Sequence, residues 1–276
     1  MENNTQLKEM IRSMVIDILQ GQKQEMASSQ PIKQAPRGQV EPGVFDTVDE
    51  AIQAAKAAQA RFEDCTLATR EKVIADIRAA MRPRVQELAQ KTVDETGMGR
   101  VADKVLKLNL TLNKTPGVED LVTECETGDN GMTLYELSAY GVIGAITPST
   151  NPAETLICNS IGMLAAGNAI FFSVHPGAKN LSRELVSELN QVIAKSIGIE
   201  NLIVTLREPS IESAQEMMLH PDVSLLVVTG GPGVVKQALQ SGKKVIGAGA
   251  GNPPAFVDET ADIKKAAQDI VLGASL

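Results

Sequence analysis

From residue 141 onward, short apolar runs alternate with stretches of helical period. That alternation restricts the chain more than any other feature it has. The strand-like runs are Gly141–Thr147, Ala169–Val174, Leu202–Leu206, Val223–Thr229 and Lys244–Ile246. The helical stretches between them are Ala153–Ala166, Lys179–Ser196, Ile211–Leu219 and Val234–Gln240. The runs are rich in Val and Ile, as parallel strands covered on both faces must be. Strand–helix–strand alternation builds a doubly wound α/β sheet. Ligands on such sheets bind at the carboxyl ends of the strands, so function is sought first in the loops that leave them.

Upstream, Asp49–Glu63 reads as an Ala-rich helix, Thr69–Thr96 as a helix kinked or divided at Pro83, and Asp103–Gly117 as a helix stopped by Pro116-Gly117. Residues 1–20 form a separate helical pattern. Leu7, Met10, Ile11, Met14, Val15, Ile18 and Leu19 make one apolar stripe, which Gly21 ends. Residues 21–42, with Pro31, Pro36, Gly38 and Pro42, read as a polar linker, and the globular part is expected over 43–276.

Charge and composition remove several function classes. A net charge of -8 argues against nucleic-acid binding, which needs a basic face. No apolar run approaches the roughly 18 residues that cross a bilayer, and Lys8, Glu9, Arg12 and Asp17 interrupt any signal-peptide pattern. Cys65, Cys125 and Cys158 are too widely spaced for a CxxC pair or a disulfide framework, which fits a cytoplasmic protein. With His175 and His220 the only histidines, no metal is expected. Cys158, among Ile157, Ile161 and Leu164, reads as a small core residue.

Four loops stand where chemistry is expected. Thr147-Pro148-Ser149-Thr150-Asn151-Pro152 leaves a strand and opens a helix, with Asn151 as N-cap and Glu154 in the first turn. Asn151 also offers an amide N–H that could stabilise an oxyanion. His175-Pro176-Gly177 leaves the next strand, where a histidine serves a ribose or phosphate, or is an ordinary polar loop residue. Thr229-Gly230-Gly231-Pro232-Gly233-Val234 does not match GxGxxG; it reads equally as a phosphate cradle or a tight turn. Gly247-Ala248-Gly249-Ala250-Gly251 is small enough to let backbone meet a bound group, and it follows a strand too directly for a free loop.

Taken in order, these segments resemble the CoA-acylating aldehyde dehydrogenases of bacterial microcompartments, the propionaldehyde and acetaldehyde branch of propanediol and ethanolamine breakdown. The resemblance rests on Glu95–Gly99, Thr115–Glu119, Pro148–Pro152, Leu164–Asn168, His175–Lys179, Val228–Gly233 and Gly247–Pro254, and it covers about residues 43–276. It implies an aldehyde dehydrogenase-like nucleotide-binding domain that takes NAD, with coenzyme A as co-substrate and a short-chain aldehyde as substrate. It places Asn151 in the oxyanion hole. It places Thr147, Pro148, Ser149, His175, Pro176, Gly177, Gly230, Gly231, Gly233, Val234 and Gly249 around the cofactor. His175 stands where many relatives carry a lysine on the adenosine ribose. Aligned on Pro254 and Ala261-Asp262, the general-base glutamate of hydrolytic relatives is Ala248 here, as suits an enzyme that passes its thioester to CoA rather than water.

The resemblance also implies what lies elsewhere. After Gly273-Ala274-Ser275 the family continues to an aromatic residue and then its nucleophilic cysteine, which is none of Cys65, Cys125 and Cys158. A polypeptide ending at Leu276 is therefore expected to bind nucleotide weakly and turn nothing over. A strand arm near 132–140 would serve a homo-oligomer. The 1–20 helix is expected to dock on a microcompartment shell protein, placing the protein inside such a compartment and not on a membrane. The rival readings are a compartment-targeted nucleotide-binding remnant or interaction module, and a semialdehyde or acyl-phosphate reductase of the same superfamily.

Overall fold

The computed structural model describes residues 41–249, 251 and 254–274. The expected docking helix and nearly all of the expected linker lie outside these residues. Glu41, near the linker's end, is ion-paired with Arg183 at 3.0 Å and Arg207 at 2.8 Å.

Six strands form one parallel sheet: β1 (Val44–Phe45), β4 (Val142–Ile146), β5 (Ala169–Ser173), β6 (Ile203–Leu206), β7 (Val223–Thr229) and β8 (Lys244–Ala248), in the order β1-β6-β5-β4-β7-β8. Every residue of β4, β5 and β6 is buried, which is why their sequences show continuous apolar runs rather than alternation. A separate antiparallel hairpin pairs β2 (Glu124–Gly128) with β3 (Gly131–Tyr135). The expected strand arm thus ends at Tyr135; residues 136–140 are not strand.

The helices are α1 (Val48–Glu63), α2 (Leu67–Met81), α3 (Val85–Thr96), α4 (Val101–Lys114), α5 (Pro152–Ala165), α6 (Lys179–Ile197), α7 (Ile211–Leu219), α8 (Pro232–Leu239) and α9 (Ile263–Ala274). Pro83 sits in a 3-10 turn, Arg82–Arg84, that divides α2 from α3. Helices α1 and α7 pack on one face of the sheet; α5 and α6 cover the other, backed by α2, α3 and α4. Right-handed crossovers dictate this division. From β4 the chain steps through β5 to β6 in one direction, and from β7 it steps to β8 in the other. The strand order therefore reverses between β4 and β7. That switch point opens a crevice at the strands' carboxyl ends.

Buried amides tie the sheet's opposite end together. Asn168 Oδ1 accepts from the Tyr140 and Gly141 N–H groups at 2.6 and 3.2 Å, while its Nδ2 donates to Met163 O at 3.1 Å. Asn190 Nδ2 donates to Val186 O and Ile203 O, and its Oδ1 accepts from Asn201 N. Gly43 (φ +76°) lies so close that a Cβ there would overlap Asn190 Nδ2 and Ile203 O.

One core assignment is corrected. Cys158 is exposed, although Ile157, Ile161 and Leu164 are fully buried. Each helical residue turns the side chain by about 100°. The buried stripe of α5 runs through Ile157, Ile161 and Leu164, and Cys158 falls one step round it, on the face with exposed Gly162.

Candidate functional site at the strand ends

Register brings the four loops together. Ile146 lies opposite both Ser173 and Val228, and Thr229 lies opposite Ala248. The ladder extends one residue further on each side: Thr147 N donates to Ser173 O, and Gly230 N to Ala248 O, both at 3.2 Å. Thr147–Asn151, His175–Gly177, Gly230–Val234 and Gly249 therefore line one edge of the sheet, around the β4/β7 switch point.

Among the described residues, five helices follow strands of the sheet at this edge: α1, α5, α6, α7 and α8. Unpaired N–H groups at a helix start attract anions, but side chains already accept from the starts of α1 (Thr47), α6 (Glu95) and α7 (Ser210). Glu95, at the end of α3, accepts from Asn180 N at 2.8 Å and Leu181 N at 2.7 Å at the start of α6. At α5, the buried Glu154 carboxylate in the first turn makes no hydrogen bond among the described residues but already places negative charge there. At α8, Gly231 is the N-cap and supplies no side-chain bond, and no acid lies in the first turn. Chain neighbours and the helix's own backbone aside, a Cβ on Gly231 or Gly233 would meet no atom of the described residues within 4 Å. Among the described residues the α8 start is thus the one on this edge with neither a capping side chain nor a carboxylate in its first turn.

The remaining groups suit a polar ligand. Thr147 Oγ1 is buried with no hydrogen-bond partner among the described residues, a costly state unless a bound group or water satisfies it. His175 is exposed, and its Nδ1 accepts from Gly177 N at 3.1 Å. In the neutral ring that bond places the proton on Nε2, leaving an N–H donor for a hydroxyl. Ser149 Oγ lies 3.8 Å from Met98 Sδ. Pro148 is half-buried, while Pro176 and Gly249 are exposed.

Asn151 occupies the N-cap position of α5, but its side chain does not cap the helix. The N-cap position is the one expected from the sequence; the capping bond is what is not made. Its Oδ1 accepts instead from Lys104 Nζ at 3.0 Å and Lys107 Nζ at 3.4 Å. Lys104 also donates to Thr150 O and lies 3.6 Å from Glu154 Oε1. Burial pushes the Lys104 ammonium below its ordinary range; the nearby Glu154 charge opposes that, and Lys107 adds to it. Sequence reasoning passed over Lys104, yet a signal was present. Lys104, Leu108 and Leu112 recur at four-residue steps and form the buried stripe of α4. A lysine on such a stripe must meet a partner inside.

A surface groove of about 600 Å³ is lined by Glu41, Arg84, Arg183 and Glu184 among others. Its charges are already paired, Arg84 with Glu184 at 2.8 Å and Arg183 with Glu41 at 3.0 Å. Among the described residues no helix is long and apolar enough to cross a membrane.

Known proteins share this arrangement. A model of the aldehyde dehydrogenase family matches residues 18–276. The propanal dehydrogenase (CoA-propanoylating) of Salmonella typhimurium is 50% identical over 273 residues, covering 99% of this chain and 57% of that protein. A propionaldehyde dehydrogenase from the Clostridium phytofermentans fucose utilisation bacterial microcompartment superposes with a TM-score of 0.80 at 50% identity, covering 85% of this chain and 54% of that one. An engineered glycolyl-CoA reductase with bound NADP+ superposes with a TM-score of 0.81 at 51% identity, covering 86% and 54%. The chain spans about half the length of the relatives it matches. A match to one family's model over nearly every residue, joined to half identity and a shared fold, settles the kinship: the chain belongs to the aldehyde dehydrogenase family.

Proposed function

We propose that residues 43–276 form the nucleotide-binding half of a CoA-acylating aldehyde dehydrogenase, whose reaction converts aldehyde, CoA and NAD to acyl-CoA and NADH. The observation that carries this reading is the uncapped start of α8 at the switch point, among the described residues the one helix start on that edge with no carboxylate beside it. The names of the relatives supply the CoA and aldehyde parts.

In this reading Gly230, Gly231, Gly233 and Val234 present backbone N–H groups to the pyrophosphate. Thr147, Pro148 and Ser149 line the crevice, with Thr147 Oγ1 meeting a polar group of the cofactor. His175, with Pro176 and Gly177 setting its backbone, donates from Nε2 to the adenosine ribose. Gly249 lets the cofactor pass the end of β8. The nicotinamide, when bound, accepts a hydride from the substrate carbon. Asn151 donates from Nδ2 to the oxygen that becomes negative when a cysteine thiolate attacks the aldehyde. Ala248 cannot activate water, so the acyl group is kept for CoA.

Residues 1–20 are proposed to dock on a microcompartment shell protein through their apolar stripe. The kinship with a microcompartment enzyme supports this. The full-length protein is proposed to be a homo-oligomer.

Two measurements test the reading. Titrating NADH into the protein should give saturable fluorescence; no binding at millimolar NADH removes the nucleotide-binding proposal. In the polypeptide that carries these residues and a nucleophilic cysteine, NADH formation should need both aldehyde and CoA. Equal rates without CoA would place the reaction in the hydrolytic class instead.

A further inference from the structure

We infer that Lys104 is the positioning residue for Asn151: it holds the amide oxygen, so that the amide nitrogen is the end left for the reacting group. This rests on the oxyanion role proposed above for Asn151.

An asparagine amide has two ends of opposite use. Only the NH2 end stabilises a developing oxyanion; the carbonyl end would repel it. The two ends are nearly the same shape, so packing alone holds neither orientation firmly. Lysine ammonium groups are donors only. With Lys104 Nζ at 3.0 Å and Lys107 Nζ at 3.4 Å, the atom facing them has to be Oδ1. Asn151 Nδ2 meets no protein acceptor among the described residues. The same contact explains why Asn151, at an N-cap position, makes no cap bond. Its oxygen, the atom that would cap the helix, is taken by the lysines.

Lys104 is costly where it stands. It is 2% exposed, on a stripe otherwise made of Leu108 and Leu112. Replacing a buried ion pair by apolar residues is often neutral or stabilising, so stability alone does not select this lysine. Its partners make a chain of support. Lys104 donates to Thr150 O and Asn151 Oδ1 and lies 3.6 Å from Glu154 Oε1. Both Glu154 oxygens are buried and have no hydrogen-bond partner among the described residues, so Lys104 is the charge that compensates them. Glu154 thus draws the ammonium into the interior, and the ammonium fixes the amide.

The test reads the Asn151 side-chain amide directly, in the 276-residue protein labelled with nitrogen-15. Its resonances are identified by their loss in Asn151→Ala. Polarisation of Oδ1 by two ammonium groups should displace the Nδ2 pair from the position of an unrestrained asparagine. Lys104→Met, which leaves only the longer Lys107 contact, should move the pair most of the way back to that position. Lys104→Arg, also a donor only, should keep most of the displacement. Backbone resonances of β4 and β5 serve as the folding control. If Lys104→Met fails to fold because Glu154 is left unpaired, Lys104→Met with Glu154→Leu, which removes both charges, is read in its place. An Asn151 pair that stays put in whichever of these folds overturns the proposal, as does an Arg variant no better than Met. NADH titration on the same samples separates the two readings. A wild type that binds no NADH fails the proposed function while leaving the amide result intact.

Discussion

Gly231→Asp should make the protein more stable and its nucleotide affinity far worse. Gly231 is the N-cap of α8 with φ -66° and ψ 161°, a conformation any residue adopts, and a Cβ there meets nothing within 4 Å. An aspartate at that position accepts from the N–H groups of the first turn. The gain over glycine combines a few tenths of a kcal/mol from the cap, about 0.3–1 kcal/mol from the helix dipole and about 0.4–1 kcal/mol from a less flexible unfolded chain. A net gain of about 1 kcal/mol raises Tm by about 2–4 °C for a unit of this size. The same carboxylate occupies the donors assigned to the pyrophosphate. Two like charges about 5 Å apart at an effective dielectric constant of about 20 repel by about 3 kcal/mol, roughly two orders of magnitude in Kd. Gly231→Asn takes the same donors without the charge and should fall between. Thermal melts and NADH fluorescence titration measure both sides. An aspartate variant that binds NADH as tightly as the unaltered protein would refute the assignment of the phosphate site to α8.

Gly144→Ala should destabilise the protein by about 1–3 kcal/mol in urea unfolding, because the added Cβ overlaps Met217 Sδ and reaches Leu226 Cδ2 at 3.0 Å; a neutral effect would mean that the β4/β7 packing is looser than described. Hydrogen bonds from Arg84, and then from Lys91, hold the Glu87 carboxyl at about 2, below its ordinary 4.5. A lowered folded-state pKa adds stability above pH 4.5 that is lost as pH falls through about 2. Because Glu87 is 48% exposed, solvent discounts that contribution. Arg84→Met should flatten the acid limb of stability against pH, and an unchanged slope would contradict the pairing. Exposed Cys125 and Cys158 should react quickly with a thiol reagent in the native protein and half-buried Cys65 more slowly; a protected Cys158 would restore the core reading from sequence.

The parts of the fold that were legible are those where burial writes a pattern. Strands β4, β5 and β6 are covered on both faces and read as apolar runs. Helix α6 has a clear apolar stripe through Leu181, Leu185, Leu189 and Ile193. What escaped lacks such a pattern. Strand β1 is two residues long, β2 is exposed throughout and shows no alternation, and α9 has no buried residue. The sequence predicts β8 only to Ile246 although the strand runs to Ala248, since its last two residues are small and exposed and carry no apolar signal. At the candidate site, the loops announced themselves through glycine, proline and their place after strands. The supporting groups did not. Glu95 caps α6 from 85 positions away, and Lys104 reaches Asn151 across 47. Contacts at such separation leave no trace in local spacing. Only the lysine on an apolar stripe gave a hint.

Hydrogen exchange with and without NADH tests the central claim most directly, since it locates the nucleotide rather than only detecting it. The account predicts protection at Thr147–Asn151, His175–Gly177 and Gly230–Val235, with no change in the groove beside Arg84, Arg183 and Glu184. Protection confined to that groove, or none at the α8 start under saturating NADH, would contradict it.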